Sequence, residues 1–333
     1  MAFAPNRFQQ RRRSRGCLHS RRTERVLIVA LDILGLRALS FIHRLGRVNF
    51  ERTISLGRQS LSLDPDSLRA ARRLALPQLD SIAREEFAEP LFAALGSKRF
   101  ESLDASDYEG ASIIHDFNQD IPEHLRAQFT AYLDLGSMEH VFSVASTVLN
   151  VNRLLAVDGQ AIILTMCNGF SGHGFYQLSP EFFFSAFSPT NGFDSTMVIL
   201  IDAHRPRRWY FVRNPAAAGE RVHLPNRTYY ILCIARKTRS VNVVTAQQSD
   251  YLALWQRPGS EGRRTARRFA RVRAALRRVR PAIMKLIPNA VKEQRTVLRV
   301  RGPFRRNVKR FDPDTASAQE VQALLAWSNE PRR

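Results

Sequence analysis

The chain has 333 residues, 44% of them hydrophobic and 24% charged, with a formal net charge of +21. That apolar fraction excludes a wholly disordered chain, and the charge predicts attraction to an anionic partner: nucleic acid, acidic lipid or a phosphorylated substrate. Cys17, Cys167 and Cys233 have no Cys-x-x-Cys spacing, which excludes a disulfide scaffold and favours a reducing compartment.

The charge is uneven. Residues 1–22 carry Arg7, Arg11, Arg12, Arg13, Arg15, Arg21 and Arg22 and no acid. Residues 263–280 carry nine arginines and again no acid, whereas 101–139 is acidic on balance. The apolar stretch Val26–Ile42 contains Asp32 and Arg37 and is short for a bilayer span of about 20 residues. On a helical wheel Asp32, Arg37, Ser40, His43 and Arg44 share one side. Leu27, Leu31, Leu34, Ala38, Phe41 and Leu45 share the other, the pattern of a helix lying on a surface: a membrane, or the domain's own core.

Residues 52–56 read as a short buried strand that ends at Gly57. Asp64-Pro65-Asp66 then starts a helix, with Asp64 as the cap and Pro65 in the first turn. Strands follow at 99–103, ending on Asp104; at 111–114, leading to His115-Asp116; at 129–134, ending on Asp134; and at 160–166. A helix opens at Ser179-Pro180-Glu181, and strands at 196–202, 209–212 and 229–235 complete the pattern. The last strands have no long helix between them, which predicts an antiparallel closing hairpin on an otherwise parallel α/β sheet. Beyond 237 the pattern fades, and Pro281, Pro288 and Pro303 punctuate a basic tail with one arginine-rich helical stripe.

In open parallel sheets ligands sit at the carboxyl ends of the strands, so Asp104, Asp116 and Asp134 fall where small-molecule chemistry is done. Met138-Glu139-His140-Val141 follows the third of them. Asn152-Arg153-Leu154-Leu155, Asp158-Gly159, the strand 161–166 and Cys167-Asn168 come after it. This succession resembles class I S-adenosylmethionine-dependent methyltransferases, especially the ubiquinone-biosynthesis type with its Glu-His-Val triplet, over roughly residues 100–200. The resemblance implies a Rossmann-like class I methyltransferase fold with a mostly parallel seven-stranded sheet and an antiparallel closing hairpin. Basic helical N- and C-terminal extensions would flank it: an extension over 1–48, the α/β domain over 49–237 and a tail over 238–333.

The resemblance further implies S-adenosylmethionine as cofactor, with Gly57 at its carboxypropyl end and Asp104 on its ribose. Asp116 and Phe117 would stand near the adenine, and Asp134 and Gly136 near the methionine moiety. His140 is the candidate base, because its free pKa lies near neutrality, with Asp134 as the second catalytic candidate. Glu139, His173 and Tyr176 are the candidate substrate contacts, the last two from the glycine-rich run 168–177. Two departures stand out. Ser55-Leu56-Gly57-Arg58-Gln59 replaces the family's loop of three glycines. Gly136 occupies the place where some relatives carry a third acidic metal ligand, so no metal is expected.

The leading expectation is methyl transfer to a small-molecule or lipid- or sugar-linked acceptor, in the cytoplasm or at a membrane surface that the basic ends would hold. A fold-sharing protein without activity, working as a membrane- or partner-binding module, is the alternative. A nucleic-acid methyltransferase is the third; the arginines outside the catalytic face and the absence of an Asn/Asp-Pro-Pro-Tyr/Phe motif count against it.

Overall fold

A computed structural model describes residues 30–61, 63–82, 85–249, 251 and 304–331. The arginine runs at 1–22 and 263–280, Cys17 and the prolines 281, 288 and 303 lie outside the described residues.

The strands are β1 (Ala30–Leu31), β2 (Arg52–Leu56), β3 (Ser60–Leu61), β4 (Arg99–Asp104), β5 (Ile113–Ile114), β6 (Phe129–Asp134), β7 (Leu155–Asn168), β8 (Phe193–Asp202), β9 (Trp209–Val212), β10 (Tyr229–Lys237) and β11 (Val308–Phe311). The helices are α1 (Ile33–Leu45), α2 (Pro65–Ala71), α3 (Leu79–Ile82), α4 (Glu89–Ala94), α5 (Val144–Leu154), α6 (Pro180–Ala186), α7 (Pro215–Ala218) and α8 (Ala318–Asn329). β1 and β3 form a small parallel pair, and the other nine strands form one sheet in the order β11-β9-β8-β10-β7-β6-β2-β4-β5. From β5 to β7 all neighbours are parallel; β10 runs antiparallel to both β7 and β8. The expected mostly parallel α/β sheet is present, Rossmann-like in layout. It has nine strands instead of seven.

Strand periodicity explains the two layers. Successive side chains point to opposite faces, so Val198 and Leu200 of β8 join one core cluster while Ile199 and Ile201 join the other. Ile231 and Cys233 divide from Leu232 and Ile234 in the same way along β10. α5 and α6 cover one face; α1, α4 and α8 cover the second.

The two additional strands come from edges that read weakly in sequence. The 209–212 segment is anticipated as a strand, but β11 is not, because Val308-Lys309-Arg310-Phe311 is four residues long and half basic. β11 pairs antiparallel with β9, placing Phe311 opposite Trp209. Lys309 and Arg310 are exposed on what is then the sheet's edge, the usual place for charges that discourage further pairing.

The surface reading of 26–42 is corrected for its described part. Asp32 caps α1 by accepting from the Leu34 and Gly35 amides at 2.9 and 3.0 Å, and Gly46 ends it in a left-handed conformation with φ 61°. Its apolar stripe packs on the sheet, with Phe41 against Trp209 and Phe311. Its polar stripe is also covered. Arg37, 3% exposed, pairs with Asp314 at 2.9 Å, Ser40 Oγ accepts from the Ala75 amide at 3.1 Å, and Arg44 donates to the Pro313 carbonyl. A wheel sorts polar from apolar but does not say whether water or protein satisfies the polar side. α1 and the segment 308–325 therefore share a hydrophobic cluster with the sheet. Among the described residues no helix is long and apolar enough to cross a membrane.

Candidate functional site

β2, β4 and β6 end side by side, and their following loops enclose a cleft of about 330 Å³. Gly57 follows β2 with φ +73°, and its amide donates to the Leu103 carbonyl at 2.8 Å. A Cβ there would stand 2.9 Å from Ser137 Oγ, so a glycine is required on two counts. Ser137 Oγ in turn donates to the Leu56 carbonyl at 2.9 Å, pinning the loop after β6 to the end of β2.

Gly57, Asp104, Asp116, Phe117, Gly136 and His140 all line this cleft. Asp104 Oδ1 accepts from the Ser106 amide at 3.2 Å, leaving Oδ2 on the Gly57 side. Asp116 Oδ1 accepts from the amide and side chain of Asn118 at 2.9 and 2.8 Å, which hold its carboxyl below the usual range. Phe117 is buried and stacks on Tyr132, centroids 6.2 Å apart.

Arg58, which replaces a glycine of the usual loop, also lines the cleft. Its guanidinium is engaged by Glu89 at 2.6 Å, by the Glu109 carbonyl at 2.9 Å and by the Phe87 ring at 3.7 Å. It thereby ties the 105–110 loop to the end of β2 and has its charge met by Glu89.

The expectation for Asp134 is corrected. It is wholly buried beneath the turn, and its Oδ1 accepts from the Ser137 and Met138 amides at 2.9 and 3.2 Å. Tyr132 donates to Oδ2 at 3.3 Å. Burial, with the Glu139 charge second, pushes Asp134 up to about 7. It shapes the loop that carries Gly136 and Ser137 and does not itself line the cleft. Alternation along a strand put Asp134 at the right end; only the turn geometry shows it pointing inward.

Glu139, His140 and His173 converge beside the cleft. Glu139 is fully buried, and its Oε2 accepts from Thr165 Oγ1 at 2.7 Å. Desolvation raises the Glu139 carboxyl and lowers both imidazoles, so the histidines are neutral near pH 7. The His140 and His173 rings lie 5.1 Å apart. One ligand atom from each of the three residues falls within 4.8 Å of the others, a set able to hold a metal ion.

Tyr176 is near but committed: its hydroxyl donates to the Phe142 carbonyl at 2.7 Å. Phe142 and Phe175, 69% and 65% exposed, meet edge to face with centroids 5.6 Å apart. Burial pushes the Cys167 thiol up to about 12, so it is no nucleophile at neutral pH. Gln59, His115, Asn118 and Ser137 line the cleft without having been anticipated. Gln59, two residues past the glycine, was legible by position, whereas His115 was passed over for its acidic neighbour.

No family model and no curated protein matches the chain. Among solved structures it is similar to the Burkholderia thailandensis 1,6-didemethyltoxoflavin-N1-methyltransferase, solved with 1,6-didemethyltoxoflavin and S-adenosylhomocysteine. That likeness has 14% identity and a TM-score of 0.35, over 62% of this chain and 79% of that one. Similarity to the citrinin polyketide synthase CMeT domain is 11% with a TM-score of 0.33, over 56% of this chain and 46% of that one. A Listeria monocytogenes protein described as an S-adenosylmethionine dependent methyltransferase gives 15% and 0.30, over 62% of this chain and 100% of that one. Scores this low carry no functional argument; the residues of the cleft do.

Proposed function

We propose that the protein is an S-adenosylmethionine-dependent methyltransferase acting on a small-molecule acceptor. The observation that carries the reading is the meeting of Gly57, Asp104, Asp116, Phe117 and Gly136 in one cleft at the carboxyl ends of β2, β4 and β6. The Gly57 turn lets backbone approach the carboxypropyl end of the cofactor. The Asp104 carboxylate accepts from the ribose hydroxyls, and the Phe117 edge with Asp116 borders the adenine.

Methyl transfer from a sulfonium needs positioning more than covalent help. The acceptor atom forms a bond to the methyl carbon while the carbon–sulfur bond breaks, and the electron pair stays on sulfur as a neutral thioether. Where the acceptor is a hydroxyl or amine its proton must leave, and His140, neutral and on the cleft wall, is placed to receive it. The exposed Phe142–Phe175 pair next to His140 and His173 favours an acceptor with an aromatic or apolar body.

Calorimetric titration with S-adenosylmethionine and S-adenosylhomocysteine tests the reading. Wild type should bind both with micromolar affinity, and Asp104→Asn should weaken binding roughly tenfold, the value of about 1.4 kcal/mol in charge-assisted hydrogen bonds. Folded wild type without affinity for either ligand would contradict it and turn attention to a non-catalytic binding role.

A further inference from the structure

The turn at 138–142 and the loop at 170–177 are laced together by bonds that do not use the side chains one would expect. Glu139 contributes its backbone: its carbonyl accepts from the Phe175 and Tyr176 amides at 2.9 and 3.3 Å. Gly174 permits the approach, since a Cβ there would lie 2.9 Å from that carbonyl. The side chains are left facing one another. Glu139 Oε1 and His173 Nε2 are both buried without a hydrogen-bond partner among the described residues, and they stand 4.0 Å apart. An unpaired buried carboxylate oxygen costs stability unless a ligand meets it.

We propose that Glu139, His140 and His173 form a three-ligand site for a divalent transition-metal ion. All three ligand atoms lie within 4.8 Å of one another. Tetrahedral bonds of about 2.1 Å place ligands roughly 3.4 Å apart, so closing the set takes about an ångström of side-chain rotation on a backbone already tied down. Two imidazole nitrogens and one carboxylate oxygen suit zinc and its first-row neighbours better than calcium or magnesium, which prefer oxygen alone. Thr165, bonded to the other oxygen of Glu139, is a positioning residue of the kind that aims a metal ligand.

Gly136 denies this chain the acid that some relatives carry three residues before Glu139; His173, brought in by a different loop, takes up the third place. Three protein ligands leave a coordination position open. Because His140 belongs both to the cluster and to the cleft wall, that position adjoins the cleft. A bound ion there would lower the pKa of an acceptor hydroxyl or water and relieve His140 of the base role. The binding site itself does not depend on the methyl-transfer reading; only this consequence does.

The test is titration of untagged, chelator-stripped full-length protein with Co²⁺ and Zn²⁺, following visible absorption and bound metal per chain. One equivalent of Co²⁺ displaced by Zn²⁺ is expected. His173→Asn and Glu139→Gln should each weaken binding roughly 100-fold or more, and Thr165→Val about 10-fold or more. His204→Ala, at an exposed residue of the turn after β8, should bind as wild type does. No stoichiometric binding by wild type, or wild-type affinity in folded His173→Asn, would overturn the proposal. Should Glu139→Gln fail to fold, X-ray absorption of zinc-loaded wild type decides. Two imidazoles and a carboxylate oxygen support the site, and any other ligand set overturns it.

Discussion

The flank built by α1, β9, β11 and α8 and the cleft at the ends of β2, β4 and β6 use polar residues in opposite ways. In the flank they answer one another. Arg37 meets Asp314, Ser40 accepts an amide from the end of α2, and the Arg213 and Lys309 cations sit 4.7 and 4.5 Å from the Trp327 ring. In and beside the cleft, Gln59 Oε1, His115 Nε2, Glu139 Oε1 and His173 Nε2 are buried with no hydrogen-bond partner. The general expectation is that buried polar atoms are paired. A region that breaks it with an amide, two imidazoles and a carboxylate is organised for something other than stability.

The contrast can be sharpened by perturbing each region in turn. The largest effect is expected at Asp134, which sits under the cleft. Its folded pKa, about 7, lies above the ordinary 3.8, so its contribution is fully present below pH 3.8 and is lost as pH rises through about 7. Raising pH from about 5 to 8 should therefore cost wild type a few kcal/mol relative to Asp134→Asn, at ~1.4 kcal/mol per unit. Urea denaturation of both proteins across that range checks it; parallel curves would mean that Asp134 is not protonated in the fold.

In the flank, Asp314→Ala should leave the Arg37 charge buried and alone. A loss of about 2–3 kcal/mol is expected, toward the low end for a broken buried pair because Asp314 is partly exposed. Affinity for S-adenosylhomocysteine should not change, and a parallel loss of binding would break the division between the regions. Gly57→Ala should do the reverse. It forces a side chain into a positive φ at about 1–2 kcal/mol and presses on Ser137, so ligand binding should fall well beyond what that loss of stability explains. The smallest effect is expected for Lys309→Gln, about 0.5 kcal/mol for one exposed cation–π contact, read from the thermal midpoint.

The same contrast explains what could be read from the sequence. β6 and β9 fall on the anticipated residues because their apolar runs are bounded by Asp134 and by turn residues, signals that are local. Asp104, Asp116 and Gly57 were found because strand ends in a parallel sheet point one way. What escaped is whatever depends on partners far along the chain. The polar stripe of α1 is covered by residues near 314, and β11 has too few residues and too many charges to show a period. His173 reads as one more loop residue until the Glu139 carbonyl draws its loop back onto the 138–142 turn. Asp134 carried the right type at the right strand end, and its inward turn is set by two amides that no spacing reveals.

Hydrogen–deuterium exchange with and without S-adenosylhomocysteine tests the central claim most directly, because it reads both regions at once. The cleft should be protected at residues 55–59, 103–118 and 136–141, while 33–45 and 308–329 exchange as in the free protein. Protection that appears in the flank, or none in the cleft at saturating ligand, would contradict the account.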